Sequence, residues 1–71
     1  MLSEPKRRLL KLAASRAINV RDAAVALGVR ASNVSDVRNS LHRLGLVEPW
    51  EKWDDPIRLT PTGAELAQTK S

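Results

Sequence analysis

The sequence predicts a mainly helical α+β fold: a three-helix bundle, a two-stranded β-hairpin and a short C-terminal helix. Three observations lead to this prediction. Two helix-type patterns follow each other without a gap in residues 19–47 and are joined by a turn at Gly28. After Gly45, two short apolar segments flank a turn-like stretch, which is typical of a hairpin. Thr60 and Pro61 then form a helix-start pair.

Length and composition indicate one domain, spanning residues 1–71. A chain of 71 residues lies near the lower limit for independent folding. It contains no cysteine, so neither disulfides nor thiolate zinc sites can stabilise it. Its apolar content of 42% is typical of a globular protein. Because Trp50 and Trp53 are the only aromatic residues, we expect an aliphatic core, with the Trp50 ring as part of its cover.

The first helix is predicted over residues 3–16. Ser3 is a suitable N-cap, Glu4 favours the positive end of the helix dipole, and Pro5 is tolerated in the first turn. Its apolar residues form one stripe, and these are Leu9, Leu10, Leu12 and Ala13.

The second helix is predicted over residues 20–27. Asn19 is its N-cap, with Asp22 three residues later in a capping-box position. Gly28 follows where the chain must turn, since glycine adopts a left-handed conformation without steric cost. We expect Val29 to pack beneath this turn.

The third helix is predicted over residues 31–44. A buried stripe is expected from the spacing of Val34, Val37, Leu41 and Leu44. The opposite face is polar and rich in Ser, Asn and Arg, which supply the donors and acceptors that base edges require. Any solvent-facing helix is polar, but the preceding helix and turn favour recognition.

The remainder is predicted as a hairpin over residues 46–59 and a C-terminal helix over residues 60–69. The hairpin consists of a strand from Leu46 to about Trp50, a turn, and a returning strand at Ile57–Leu59. Pro49 restricts the first strand to a sheet edge. Thr60 caps the last helix, and Pro61 takes its first position.

This order of elements, with its motifs, resembles the winged helix-turn-helix domain of multiple-antibiotic-resistance-type transcription regulators. The resemblance is carried by Val20–Ala24, by Leu27-Gly28-Val29, by Leu41–Val47 and by the closing Leu-Thr-Pro-x-Gly-x-x-Leu at Leu59–Leu66. It implies that the third helix enters the DNA major groove and that the hairpin forms a wing over the backbone or minor groove.

The resemblance and the polar face of the third helix together assign candidate contact residues. The candidates for base contacts are Ser32, Asn33, Ser35, Asp36 and Asn39. The candidates for phosphate contacts are Arg21, Arg30, Arg38, Arg43 and Lys52.

Charge divides the chain into two parts. Residues 1–47 carry nine basic and three acidic residues, whereas residues 48–71 carry three basic and five acidic ones. A polyanion should therefore face the first part. The expected wing is acidic, and phosphates would repel its tip. Trp53 lies in that segment and is a candidate for protein contact, because tryptophan is frequent at interaction hot spots.

Other classes of function have weaker support. His42 is the only histidine, so we expect no metal site, and we find no catalytic triad or phosphate-binding glycine loop. We therefore predict a non-enzyme without a cofactor. No stretch of 18 apolar residues and no ordinary signal peptide is present, so we expect a cytoplasmic, nucleoid-associated protein without membrane contact.

The favoured interpretation is a small regulator, of the kind used by phages and mobile elements, that binds a specific site on double-stranded DNA. We expect a homodimer or a second copy on an adjacent half-site. Two alternatives remain open. One is a winged-helix protein-interaction module that uses an acidic, Trp53-bearing wing. The other is an excisionase-like architectural factor that bends DNA.

Overall fold

The computed structural model describes residues 2–68, which form four helices. The helices are α1 (Glu4–Ser15), α2 (Val20–Leu27), α3 (Ala31–Arg43) and α4 (Pro61–Gln68). α1 packs against each of the other three, and α2 packs against α3. The predicted end of the last helix at Thr69 lies outside the described residues. None of the helices is both long and apolar enough to cross a membrane, as far as residues 2–68 are concerned.

The predicted α+β class, with a two-stranded wing at residues 46–59, is wrong. Residues 2–68 contain no strand, and the only β pairing among them is an isolated antiparallel bridge between Val47 and Leu59. Two hydrogen bonds flank this bridge, from Glu48 N to Arg58 O at 2.8 Å and from Thr60 N to Leu46 O at 3.1 Å. The segment from residue 48 to residue 58 is irregular, and we call it the 48–58 loop.

Backbone donors explain why the ladder does not extend beyond one bridge. On one side, the Leu46 N–H donates to Leu41 O at 2.9 Å, so it is not free to pair with Thr60. On the other side, Arg58 N makes no hydrogen bond to Glu48 O within residues 2–68, and the next hydrogen-bonded pair would place Pro56, which has no N–H, opposite Trp50. The apolar alternation of this region is therefore present without the hydrogen bonds that a strand requires.

An aliphatic core is shared by α1, α2, α3 and the segments that follow α1 and α3, and Ala67 of α4 packs against it. Its buried members are Leu9, Leu10, Ile18, Val20, Ala23, Ala24, Val34, Leu41, Leu46, Val47 and Ile57. The Ile57 N–H donates to Ile18 O at 2.8 Å, which ties the end of the 48–58 loop to the link between α1 and α2. Two expectations for the core are wrong: Leu44 is 55% exposed and Val29 is exposed as well.

α4 is fixed to the end of α3 by the residue that caps it. Thr60 Oγ1 accepts a hydrogen bond from Gly63 N at 3.0 Å and donates one to Gly45 O at 2.7 Å. Gly63 is buried, and a Cβ at this position would collide with the Leu46 carbonyl. The helix can approach the backbone of residue 46 closely only because position 63 has no side chain.

Candidate nucleic-acid interface

The turn between α2 and α3 is closed by backbone hydrogen bonds. Gly28 ends α2 in the left-handed region, with φ 68° and ψ 34°. The Val29 N–H donates to Ala24 O at 3.0 Å, as is typical of a helix that ends in glycine. At the start of α2, Asn19 Oδ1 accepts from Asp22 N at 2.8 Å. α2 is therefore held at both ends and packs on α3.

One face of α3 is polar and exposed along the whole helix. Its residues follow each other at steps of four, three and four positions, which places them in one row. We call them the outer row, and they are Ser32, Asp36, Asn39 and Arg43. All four are exposed, while Val34 and Leu41 on the opposite face are buried. The outer row presents hydroxyl, carboxylate, amide and guanidinium groups to solvent.

Two of the five residues predicted to read bases lie at the edges of this row. Ser35 is half-buried. Asn33 is exposed and, together with Asp36 of the outer row, it lines an open groove of about 410 Å³ between α3 and α1, beside Glu4 and Arg8. Those two α1 residues form an ion pair with an N···O distance of 2.6 Å. The exposed polar face is therefore narrower than the sequence predicted.

The predicted phosphate contacts are distributed over three elements. Arg21 begins α2, Arg30 precedes α3, and Arg43 is the last residue of α3. Lys52 belongs to the 48–58 loop, and its N–H donates to Asp55 Oδ2 at 2.9 Å. The side chains of these four residues are exposed.

Arg38, the fifth predicted phosphate contact, does not lie on the surface. The residue is only 2% exposed, and its Nη1 donates to Trp53 O at 3.0 Å. Its Cζ atom lies 3.9 Å from the centroid of the Trp50 ring, in a cation–π contact. Burial lowers the pKa of the guanidinium, and the charge of Asp55 partly opposes that shift. Because arginine remains charged throughout the ordinary pH range, Arg38 is a buried cation, and we do not assign it to a phosphate.

The Trp50 ring connects α3 to the 48–58 loop. It makes an edge contact with the His42 ring, with a centroid distance of 5.4 Å and an interplanar angle of 68°. His42 Nδ1 lies 2.8 Å from Val47 O and donates to it when that nitrogen carries the proton. Arg38 Nε has no hydrogen-bond partner within residues 2–68. This guanidinium is thus held by the face of Trp50 and by one carbonyl.

The 48–58 loop is also closed from within. Asp55 Oδ2 accepts hydrogen bonds from Lys52 N at 2.9 Å and from Glu51 N at 3.0 Å. These bonds, the one from Lys52 first, lower the pKa of the Asp55 carboxyl. The loop is therefore a structured turn in which Trp53, at the tip, is 43% exposed.

Sequence reasoning missed the cluster of Arg38, His42 and Trp50, although its spacing carried a signal. Arg38 lies four residues after Val34 and three before Leu41, so it shares the buried stripe of α3. An arginine in such a position needs a partner that replaces water. Trp50, in the loop that follows α3, was an aromatic residue that could supply this contact.

No metal site is formed within residues 2–68, since no three His, Cys, Asp or Glu side chains there are placed to hold an ion. No protein-family model matches the chain, and the comparisons with curated proteins and with solved structures gave no match. The family resemblance stays a prediction from the sequence.

Proposed function

We propose that this protein binds double-stranded DNA at specific sites, with α3 in the major groove. The observation that carries the proposal is the outer row of α3, which is polar and exposed and is supported from behind by α2. The B-DNA major groove admits one α-helix, and its base edges are read by side-chain donors and acceptors. The outer row supplies both kinds of group.

Each residue has a role that follows from its chemistry. Asn39 is suited to adenine, which an amide can contact through two hydrogen bonds, and Ser32 can contact several bases. Asp36 can accept a hydrogen bond from the amino group of cytosine and would be repelled by phosphates. Asn33 and Ser35 are assigned to the edges of the contact between α3 and the base pairs.

The exposed cations of the unit are assigned to the DNA backbone. Arg21, Arg30 and Arg43 would neutralise phosphates on either side of the groove, and Lys52 would do so from the loop. Glu48, Glu51 and Asp54 surround Lys52 in sequence, so we expect its contribution to be the smallest of the four. Transcriptional control in the cytoplasm is the role that we propose for this binding.

A single domain of this size covers a limited stretch of DNA, about 600–1,000 Å² of protein surface for one module. Tight binding therefore requires two copies on half-sites about 34–36 Å apart, or a multiple of that distance. A palindromic or directly repeated site would distinguish two-fold from head-to-tail placement of the copies.

The first experiment is selection from a random duplex library at two salt concentrations, with sequencing of the bound fraction. Enrichment of one motif supports site-specific recognition. Salt-sensitive binding without enrichment would favour an architectural role, which a DNA-bending assay would test directly. Absence of binding at low salt would overturn the proposal.

Two variants of the outer row test the assigned roles. Asn39→Ala should relax the sequence preference with little change in affinity for random DNA, because it removes a base contact. Arg43→Ala should weaken binding to all duplexes and reduce the salt slope by about one unit. Arg16→Ala, which removes an exposed arginine after α1 with no assigned role, is the control. Equal effects of all three variants on specific and random DNA would contradict the assignment.

A further inference from the structure

An open groove between α1 and α4 combines an apolar floor with a basic rim. Its volume is about 870 Å³. Leu44 and Leu66 in this groove are 55% and 43% exposed, so the groove presents a contiguous apolar surface to solvent. The apolar lining also includes Leu2, Leu10, Leu46 and Ala67, and the basic lining consists of Lys6, Arg7 and Lys11. We call this the α1–α4 groove.

The tip of the 48–58 loop has the complementary properties. Trp53 offers a large exposed ring, and the carboxylates of Glu51 and Asp54 are exposed on either side of it. The backbone of the tip is fixed, because Trp53 O accepts from Arg38 and Asp55 closes the turn. Little conformational entropy would therefore be lost when this tip binds a partner.

We propose that the 48–58 loop of one copy docks into the α1–α4 groove of a second copy. Trp53 would cover Leu44 and Leu66, while the acidic residues of the loop would face the basic rim of the groove. None of the loop residues lines the groove of its own chain within the described part. The loop therefore does not fill the groove of its own chain.

The geometry of this contact determines the kind of assembly. Each copy has one loop and one groove, so the contact joins two different surfaces and is heterologous. Such a contact leaves a free loop at one end and a free groove at the other. Assembly therefore continues beyond the dimer unless the rotation between copies closes a ring.

The contact should be weak and sensitive to salt. One aromatic anchor and a few exposed ion pairs are typical of small, transient interfaces. Salt screens such pairs, since the Debye length falls from about 30 Å at 0.01 M to about 10 Å at 0.1 M. The inference is independent of DNA binding and is tested without DNA.

Sedimentation equilibrium over a range of protein concentrations and at low salt is the primary measurement. The wild type should form species larger than a dimer as concentration rises, and added salt should reverse this. Trp53→Ala should weaken self-association about tenfold or more, as expected for an aromatic hot spot. Its bond to Arg38 uses the backbone carbonyl, so the loop remains held in this variant.

A mixing experiment identifies the two surfaces. Trp53→Ala retains the groove and loses the anchor, whereas Leu66→Glu retains the anchor and places a negative charge in the groove. At a protein concentration at which the wild type associates, each variant alone should be largely monomeric, and an equimolar mixture should form a one-to-one dimer that does not grow. Val25→Ser, at a residue that is 79% exposed on α2 and outside both surfaces, should associate like the wild type.

Three results would overturn the proposal. One is a wild type that remains monomeric at low salt and high concentration, which would leave the groove to a different partner. Another is self-association by Leu66→Glu alone, since a loop-to-loop dimer does not use the groove. The third is an equimolar mixture that stays monomeric while circular dichroism shows both variants to be folded.

Discussion

The α2–α3 turn and the 48–58 loop both reverse the chain beside α3, but different interactions hold them. The turn is short and is closed by main-chain bonds around Gly28. The loop is closed by side chains: Asp55 caps its tip, and Arg38 and His42 attach it to α3 through Trp53 O and the Trp50 ring. A turn formed by local backbone bonds depends on its own few residues, whereas a loop held by distant side chains depends on the rest of the fold.

The same difference determines which surfaces face solvent. Beside the turn, α3 keeps its outer row free for a ligand. Beside the loop, α3 uses Arg38 and His42 for internal contacts, and the exposed groups belong to the loop itself. One helix thus has a face proposed for DNA and a second face that holds a proposed protein-contact element in place.

The largest effect is expected where the chain returns from the loop to α4. Gly63→Ala would place a Cβ against the Leu46 carbonyl, which neither backbone can easily avoid. We expect the free energy of unfolding to fall by about 3 kcal/mol, as for severe overpacking. Urea unfolding followed by circular dichroism measures it. Thr62→Ala, at the exposed neighbouring position, should change stability by no more than about 0.5 kcal/mol. Similar stabilities for the two variants would show that α4 moves freely relative to Leu46.

A second variant removes the connection between α3 and the loop. Arg38→Ala loses the hydrogen bond to Trp53 O and the cation–π contact with Trp50. We expect a loss of about 2 kcal/mol in unfolding free energy and a red shift of tryptophan fluorescence as the loop detaches. Arg43→Ala, at the exposed end of α3, should change neither quantity by much. If Arg38→Ala retained full stability and fluorescence, the arginine would not hold the loop.

These two regions also differ in how far the sequence could predict them. Local signals indicated the helices: Asn19 and Gly28 flank α2, and Thr60 and Pro61 begin α4. The prediction of a hairpin was wrong because apolar alternation indicates which side chains are buried. It does not indicate whether the backbone N–H groups are free to pair. Pro56 removes one donor by its chemistry. A second donor, the Leu46 N–H, is used by the hydrogen bond to Leu41 O at the end of α3, and only the structure shows this bond.

The candidate site, like the fold, was predictable only in part. Helical periodicity placed Ser32, Asp36 and Asn39 on one exposed face. The prediction treated Arg38 as a surface residue because of its charge and Leu44 as a core residue because of its spacing, and the structure reverses both assignments. Residue type alone does not reveal that a tryptophan from a distant loop shields a guanidinium from water. Such pairing depends on tertiary contact and overrides the simple rule that charged residues are exposed.

A third prediction tests the local cap at the start of α2. Asn19→Ala removes the side-chain bond to Asp22 N and should cost about 1 kcal/mol. Ser3→Ala is the matched control, since Ser3 occupies the N-cap of α1 without making a side-chain cap bond. It should change stability by no more than about 0.5 kcal/mol. Both are measured by thermal unfolding at neutral pH, and equal losses would contradict the distinction between the caps.

The smallest effect concerns the pH dependence of the loop. The folded-state pKa of Asp55 lies below its ordinary value of about 3.9, so folding favours the charged carboxylate. Its contribution to stability is present above that ordinary value and is lost as the pH falls through the lower folded pKa. Asp55→Asn should therefore flatten the dependence of melting temperature on pH below about pH 4.

Asp54→Asn controls for the change in net charge, because Asp54 accepts no hydrogen bond within the described part of the chain. Thermal unfolding of the wild type and both variants between pH 2 and pH 7 makes the comparison. A flatter curve for Asp55→Asn alone would mean that the loop is held by its internal carboxylate as well as by Arg38. Parallel curves for all three proteins would mean that the attachment to α3 is sufficient. The loop would then depend on tertiary contact alone, in contrast to the α2–α3 turn.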